Sequence, residues 1–482
     1  MKKKFLGNFF FVLVLNVLVK PLWLFGIDVA VQNRVGVEEY GFYYPIFSFS
    51  ILLNILLDLG ITNYNNRNIA QHEHLLGRYF SGIFNVKLVL GVVYMLITLI
   101  AGFLIGYESR AFYFLFLLGI NQFLASLILY LRSNLSGLHL FKLDGIVSVA
   151  DRVLMILICS YLLWSDTTGP NFKIEWFLYA QFAAYLITAL ISFIIVLTKA
   201  KIYKPRFDWI LFRVIIKQSL PFALLVILMS FYYRLDSVMI DRLLEDGSYQ
   251  AGVYAQSYRI LEGFNMFGYI VAALLLPIFS RMIKKKEPIS RLVYAGFTLV
   301  FVPSSLAVII SLFQPKNIMG LLYDNSVIES AEVFPVLMLS FLCIALTYIF
   351  GTLLTANGSL RILNKIAFVG LIINFFVTYT LIPKSGAYGA AIATLLTQLM
   401  VIFSQLYFVS RIFNINPNFK LIFKQLVIVI VLFLSALVIN QYSLNLLEFI
   451  LITSFIALSL IFSLKIISFS VIKEIFKPNS LI

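Results

Sequence analysis

Long apolar runs recur along this chain from end to end, and they constrain its fold more than any other feature. Each run holds about 20 residues, enough for a helix to cross roughly 30 Å of hydrocarbon. Backbone polar groups inside lipid must bond within their own segment, which such charge-poor runs achieve as helices. A membrane barrel would instead show segments of about ten residues with alternating polarity. The sequence therefore predicts an all-α polytopic membrane protein.

Composition agrees with this class, because 61% of the residues are hydrophobic and only 12% are charged. A soluble chain would carry about 25% charged residues. About fourteen spans are predicted, and the even number returns the C-terminus to the starting side. The predicted spans are 5–31, 41–61, 80–105, 112–131, 144–164, 176–197, 218–241, 251–280, 292–313, 332–355, 366–383, 387–410, 425–442 and 446–464. The first follows Lys2-Lys3-Lys4 without a small-residue cleavage site, so we expect it to stay uncleaved.

Lysine and arginine are divided unequally between the two sides of this topology. Of the 37 in the chain, 26 fall in one set of loops and ends, 6 in the other set and 5 inside spans. Short loops rich in Lys and Arg stay on the cytoplasmic side, so both termini are predicted to be cytoplasmic. The unequal distribution also supports the number of spans. If one span had been missed, the basic loops after it would fall on the opposite side of the membrane.

Weak internal similarity divides the chain into two halves at its most basic loop. Tyr40-Gly41-Phe42-Tyr43 near span two resembles Ala251-Gly252-Val253-Tyr254 near span eight. Two parallel repeats of six helices would explain this match. The predicted domains are an N-terminal lobe of helices 1–6 (1–197), a basic cytoplasmic linker (198–217), a C-terminal lobe of helices 7–12 (218–412), and helices 13–14 with a cytoplasmic tail (413–482).

Motifs for catalysis and cofactor binding are absent from the sequence. It contains no P-loop, no G-x-G-x-x-G, no G-x-S-x-G and no H-E-x-x-H. The two cysteines, Cys159 and Cys343, lie in apolar runs, which argues against disulfides and thiolate metal sites. The net charge of +15 belongs mostly to short loops and sets topology, so no nucleic-acid partner is expected. We therefore expect no enzyme activity, cofactor or metal.

Charged residues inside the spans are the most informative candidates, because each is costly unless it faces protein or water. Lys20 precedes Pro21 in span one, and proline kinks a helix and frees a carbonyl. Lys20 lies about 15 residues, or roughly 22 Å, from the predicted cytoplasmic start. We therefore favour a cavity-facing position for Lys20 over snorkelling. Arg152 lies in the middle of span five, with Asp151 beside it.

Spans seven and eight carry further charges. Arg234, Asp236 and Asp241 lie in span seven, and Arg259 and Glu262 lie in span eight at a spacing that allows them to pair. Interhelical ion pairs and a polar cavity are both consistent with this pattern.

Four other charges receive less weight. Lys87 and Asp58 lie near enough to the cytoplasmic side for snorkelling. Asp28 and Arg34 are expected at the outer interface.

The cations inside the spans are Lys20, Lys87, Arg152, Arg234 and Arg259, and a cavity lined by them would favour an anionic substrate. The arginine fork suits phosphate in particular, because it makes two parallel hydrogen bonds. The predicted substrate site comprises Lys20, Arg152, Arg234 and Arg259. Asp236, Asp241 and Glu262 are the candidate coupling carboxylates.

Three stretches carry a resemblance to a known family. They are Gly36-Val37-Glu38-Glu39-Tyr40-Gly41 with Asp58-Leu59-Gly60-Ile61, Arg234-Leu235-Asp236-Ser237-Val238-Met239-Ile240 with Tyr258-Arg259-Ile260, and Asn357-Gly358 through Gly386-Ala387-Tyr388-Gly389-Ala390-Ala391. In this order and spacing the chain resembles Wzx-type O-antigen and capsular polysaccharide flippases of the multidrug/oligosaccharidyl-lipid/polysaccharide exporter superfamily. The glycine- and alanine-rich stretch itself indicates close helix packing.

The resemblance implies a bacterial inner-membrane protein with two six-helix lobes, as in multidrug exporters of that superfamily, and two extra C-terminal helices. It implies alternating-access transport of an undecaprenyl-diphosphate-linked oligosaccharide from the inner to the outer leaflet. Drive by proton or sodium coupling or by the membrane potential stays open, and polysaccharide polymerase machinery is a candidate partner.

Three alternatives remain beside this reading. A lipid II flippase would share the architecture and the buried arginines. A drug/cation antiporter would need buried carboxylates for its substrates, whereas the charges here lean cationic. A structural scaffold would gain little from charges inside its spans.

Overall fold

We analysed a computed structural model of the chain, which describes residues 14–72, 74, 76–166, 168–200, 209–415, 418–442 and 444–464. The lysines that open the sequence, residues 201–208 of the predicted linker and the predicted tail beyond 464 lie outside the described residues. The regular secondary structure of the described residues is helical.

Fifteen helices are described in these ranges. They are α1 (Val14–Val35), α2 (Val37–Leu52), α3 (Ile61–Gln71), α4 (Leu76–Ile105), α5 (Ser109–Gly137), α6 (Phe141–Trp164), α7 (Ile174–Ala200), α8 (Trp209–Leu243), α9 (Gly247–Lys285), α10 (Ser290–Phe313), α11 (Pro315–Leu322), α12 (Val327–Ala356), α13 (Leu360–Phe413), α14 (Phe419–Ile439) and α15 (Leu446–Ser463).

The predicted number of spans is confirmed once two irregular helices are taken into account. Twelve described helices are individually long and apolar enough to cross a membrane, and the bent pair α2–α3 is a thirteenth candidate. Helix α13 has 54 residues, which would extend about 80 Å as one straight helix. It is interrupted at Gly386, where φ is 55° and ψ is −134°. Since about 30 Å is enough for one crossing, α13 accounts for two spans.

Helix α1 departs from α-helical geometry immediately after Pro21. Leu22–Asp28 forms a π-helical segment, and the α-helix resumes at Val29–Val35. Proline lacks a backbone N–H and its ring crowds the carbonyl of the preceding turn, so a helix at this point must adjust. The irregularity lies directly after Lys20, where the sequence predicts a kink.

The second predicted span is a broken helix, and the expectation that Lys87 snorkels to the surface is wrong. Helices α2 and α3 are bent by 49°. Lys87 is 1% exposed, and its ammonium lies 2.5 Å from the Asp58 carboxylate and 2.9 Å from the Leu57 carbonyl. Asp58 also accepts the backbone N–H of Thr62 at 3.2 Å, in the first turn of α3. The ion pair therefore stabilises the break from within the protein.

The chain divides into two compact units. The first contains the described residues up to Arg242 together with Asp246–Gly252, and the second contains Leu243–Glu245 and the described residues from Val253 onward. The core of the first unit joins α3, α4, α5 and α7 through buried side chains such as Ile69, Phe80 and Tyr130. In the second unit α14 and α15 pack against α10. The two helices predicted to follow the second set of six are thus part of that unit's core.

Glycine permits a close helix crossing inside the first unit. A Cβ atom added to Gly41 would lie 1.8 Å from the Ser248 carbonyl oxygen and 2.6 Å from the Gly252 nitrogen. A Cβ atom on Gly252 would lie 2.1 Å from the Val37 carbonyl oxygen. The two glycines matched in the sequence repeat therefore pack against each other, backbone to backbone.

Replacing Lys87 with Met should destabilise the protein by about 3–5 kcal/mol, because Asp58 would keep a charge without its partner. Thermal unfolding of the purified protein in detergent measures this effect. The double variant Lys87→Met, Asp58→Asn should recover most of the loss, and Lys384→Met, at an exposed lysine, serves as the matched control. A Lys87→Met protein as stable as the unmodified one would contradict the role of the pair.

Replacing Gly41 with Ala should lower the unfolding temperature strongly, since the added methyl group would overlap backbone atoms that cannot move aside. Gly320→Ala is the control, because its Cβ would meet Val327 at an ordinary 3.6 Å. Equal unfolding temperatures for the two variants would show that the crossing at Gly41 is looser than described.

Candidate functional site

A half-buried lysine without an ion pair lies at the entrance to the irregular part of α1. Lys20 makes no hydrogen bond or ion pair among the residues that the structure describes. The charges of Arg152, Arg132 and Asp151 act on it. Arg132 is bound to Asp144 at 2.8 Å, so that pair is neutral. The corner formed by α1, α5 and α6 therefore keeps one positive charge more than its carboxylates balance.

Arg152 is held in this corner mainly by aromatic groups. Its guanidinium donates a hydrogen bond to the Tyr185 hydroxyl at 3.1 Å and lies 5.6 Å from the centre of the Trp23 ring. The Asp151 carboxylate is 3.8 Å away, at the limit of an ion pair. Cation–π contacts hold an arginine without neutralising it. Its side chain is 30% exposed.

A row of rings runs from Arg152 to a second arginine of the same unit. Trp23 stacks on Phe177 at 5.7 Å, and Phe177 meets Tyr43 edge to face at 5.7 Å. Tyr43 stacks on Phe47 at 5.6 Å. The guanidinium of Arg234 then lies 5.9 Å from the Phe47 ring. We call the four rings, Trp23, Phe177, Tyr43 and Phe47, the aromatic row.

The aromatic row is a rigid spacer more than a binding surface. Phe177 and Tyr43 are completely buried, whereas Phe47 is half-buried. Offset and edge-to-face ring pairs at these distances favour fixed geometry. The row therefore fixes the positions of two predicted site residues, Arg152 and Arg234, relative to each other.

Helix α8 carries Arg234 and two of the candidate carboxylates. Arg234 is half-buried and donates to the Tyr44 hydroxyl at 3.4 Å. Asp236 is 1% exposed, so it lies inside the protein. Asp241 lies 3.2 Å from the guanidinium of its neighbour Arg242.

The second unit contains the remaining predicted residues. Arg259 and Glu262 form the predicted pair, with 2.7 Å between Nη1 and Oε2. The side chain of Arg259 is 10% exposed and that of Glu262 is 19% exposed. A paired arginine of this kind is fixed in place, but the pair as a whole adds no net charge.

Asp28, which the sequence analysis placed at the membrane interface, is a further buried carboxylate of the first unit. Asp28 is 2% exposed, so the expectation that it lies at the membrane interface is wrong. It accepts hydrogen bonds from the Tyr40 hydroxyl at 3.0 Å and from the Gln32 amide at 3.0 Å. The misplacement arose because span one was predicted to end at residue 31, whereas α1 continues to Val35.

One sequence signal could have revealed the aromatic environment. Tyr40, Tyr43, Tyr44 and Phe47 are spaced i, i+3, i+4 and i+7, which places them on one helical face. Such a face is typical of a helix packed inside a bundle. Its contacts with Trp23 and Phe177 depend on tertiary packing and have no local signature.

Comparisons with known proteins identify the family. Residues 5–283 match the family described as "Polysaccharide biosynthesis protein". An uncharacterized membrane protein of Methanocaldococcus jannaschii is 23% identical over 78% of this chain and 91% of its own length. The capsular polysaccharide biosynthesis protein CapF of Staphylococcus aureus is 24% identical over 42% of this chain, and the match spans about half of CapF (51%).

The fold also matches a solved structure. The lipid II flippase MurJ in an inward closed conformation superposes with a TM-score of 0.70 at 13% identity, covering 96% of this chain and 98% of MurJ. At that identity the likeness shows the fold, and it confirms the predicted two-lobe helical architecture. Since the family match covers more than half of the sequence, this chain belongs to the polysaccharide biosynthesis protein family and is a multi-pass membrane protein with the flippase fold that the sequence resemblance predicted.

Proposed function

We propose that this protein moves an undecaprenyl-diphosphate-linked oligosaccharide from the inner to the outer leaflet of a bacterial cytoplasmic membrane by alternating access. The exported lipid-linked oligosaccharide would be used for surface polysaccharide synthesis, and the polymerase machinery would act on it next. The family match and the flippase fold support a lipid-linked substrate.

One observation carries the choice of an anionic headgroup. Lys20 and Arg152 lie in one corner of the first unit, where the charges that act on Lys20 include more cations than carboxylates. A diphosphate would supply the missing negative charge, and arginine can bind it through two parallel hydrogen bonds. Arg234, held by Tyr44 and Phe47, provides a second fixed cation in the same unit.

The electrical energetics favour export of such a substrate. A lipid diphosphate carries about two negative charges, and each is worth about 2.3 kcal/mol per 100 mV. An inside-negative potential pushes these charges outward. Ion coupling through Asp236, Asp241 or Glu262 stays a proposal. Asp236 is 1% exposed, so a change of its protonation would take place inside the protein.

A lipid II flippase is the second candidate, and the fold similarity to MurJ favours it. Its substrate has the same lipid diphosphate, so the cationic corner would serve either role. A drug/cation antiporter fits less well, because Lys20 would repel a cationic drug.

The orientation and domain limits are part of the proposal. Both termini lie in the cytoplasm, as the distribution of Lys and Arg indicates. The lobes are 1–197 and 218–412, joined by the linker 198–217 and followed by 413–482.

Removing the site cations should reduce export while leaving the amount of protein in the membrane unchanged. Arg152→Gln, Arg234→Ala and Arg259→Ala are each expected to lower surface polysaccharide at least tenfold, and Lys20→Gln should act in the same direction. Surface polysaccharide and membrane protein are both measured in cells that depend on this chain. Lys384→Gln is the matched control. Normal export by Arg152→Gln and Arg234→Ala together would refute the anion site.

The purified protein in liposomes distinguishes the two substrates. Fluorescent repeat units on undecaprenyl diphosphate should reach the opposite leaflet, where a reagent outside the vesicle detects them, faster than fluorescent lipid II. Preferential movement of lipid II would replace the proposed function with the second candidate.

Single cysteines test the orientation. A cysteine at the exposed Lys316 should react with an impermeant label added to intact cells, and one at the exposed Lys285 should not. The natural Cys159 and Cys343 are buried and give little background. The opposite labelling pattern would reverse the topology.

A further inference from the structure

An apolar pocket lies in the second unit, and its lining includes none of the predicted site residues. It is lined by side chains of α10, α12, α13 and α14, among them Val293, Phe297, Phe350, Leu406 and Leu421. These lie near the start of α10, the end of α12, the end of α13 and the start of α14. All four helix ends fall on the side that the proposed orientation makes cytoplasmic, and the inference below rests on that orientation alone.

The size of this α10–α14 pocket suits one hydrocarbon chain. Its volume is about 370 Å³. A methylene group takes up about as much space as a water molecule, roughly 30 Å³, so about a dozen methylenes would fill it. The lining residues Tyr407 and Ile422 are 56% and 39% exposed, so the pocket opens at the protein surface, where lipid is the neighbour.

Polar and basic groups border the pocket on its cytoplasmic edge. Ser410 and Asn418 are part of the lining. Arg411 is exposed and lies over the Tyr407 ring at 5.7 Å. Lys420 is exposed and directly precedes the lining residue Leu421 in the sequence. The stretch from Leu406 to Lys424 contains no Asp or Glu, so this border is positively charged.

We propose that the α10–α14 pocket binds an anionic phospholipid of the cytoplasmic leaflet, with one acyl chain in the pocket and the phosphate near Arg411 and Lys420. Burial of the chain gives no selectivity by itself, because surrounding lipid tails are equally apolar. Selectivity comes from the charge of the headgroup, and basic pockets between helices on this side attract anionic headgroups.

The chain length separates this occupant from the transported lipid. A space for about a dozen methylenes takes most of one acyl chain, whereas it would take only a small part of a polyprenyl chain of 11 isoprene units. A soluble phosphate compound would leave the apolar part of the pocket empty. The phospholipid is the occupant that uses both the charged border and the apolar interior.

Native mass spectrometry of the full-length protein in detergent tests the proposal. The probes are phosphatidylglycerol and phosphatidylcholine with identical acyl chains. We expect the first phosphatidylglycerol to bind at least tenfold more tightly than phosphatidylcholine. Arg411→Gln and Lys420→Gln should each reduce this preference about fivefold, the effect of one basic group near an anionic headgroup. Lys384→Gln, at the opposite end of an α13 span, should leave it unchanged.

A pocket-filling variant tests the acyl chain separately. Leu421→Trp should weaken the binding of both phospholipids. Equal affinity for the two lipids, or unchanged preference in both border variants, would overturn the proposal. So would equal binding of glycerol phosphate without chains, or tighter binding of undecaprenyl phosphate with the same dependence on Arg411. Because no transport is measured, a failure of the proposed function would leave this result intact.

Discussion

A charge inside hydrocarbon is tolerated only when the protein supplies a partner, and this constraint organises the described helices. The buried Lys87 meets Asp58 at the break between α2 and α3, and Arg259 meets Glu262 within α9. Backbone groups follow the same rule, since the Leu57 carbonyl freed by the break accepts from Lys87. The break in span two is therefore matched by polar contacts, as the low dielectric requires.

Among the described residues, Lys20 is the exception to this pairing. Lys20 has no ion pair among the described residues, and Arg152 rests on Trp23 and Tyr185 while its carboxylate neighbour stands at 3.8 Å. Aromatic contacts fix a guanidinium in position without cancelling its charge. Under the proposed function, the charge of Lys20 next to the π-helical segment would be balanced by the anionic headgroup of the substrate.

Most of the fold was predictable, because each membrane span is a long apolar run. Such a run can be recognised in the sequence without knowing which helices pack against it. Span fourteen, predicted at 446–464, is α15 at Leu446–Ser463, and the Arg259–Glu262 pair followed from a three-residue spacing on one helix. The break in span two and the burial of Asp28 were missed. Both depend on contacts between helices, where Lys87 and Tyr40 supply the partners, and no periodicity within one segment encodes them.

The Lys87–Asp58 pair also constrains how the protein is made. Asp58 emerges from the ribosome before Lys87, so for a time the bent span holds a carboxylate without its cation. Each charge alone at mid-membrane costs about 2.5–3.5 kcal/mol on the insertion scale, whereas the pair is mutually satisfied. The broken span and α4 therefore gain by entering the lipid together, as a helical hairpin.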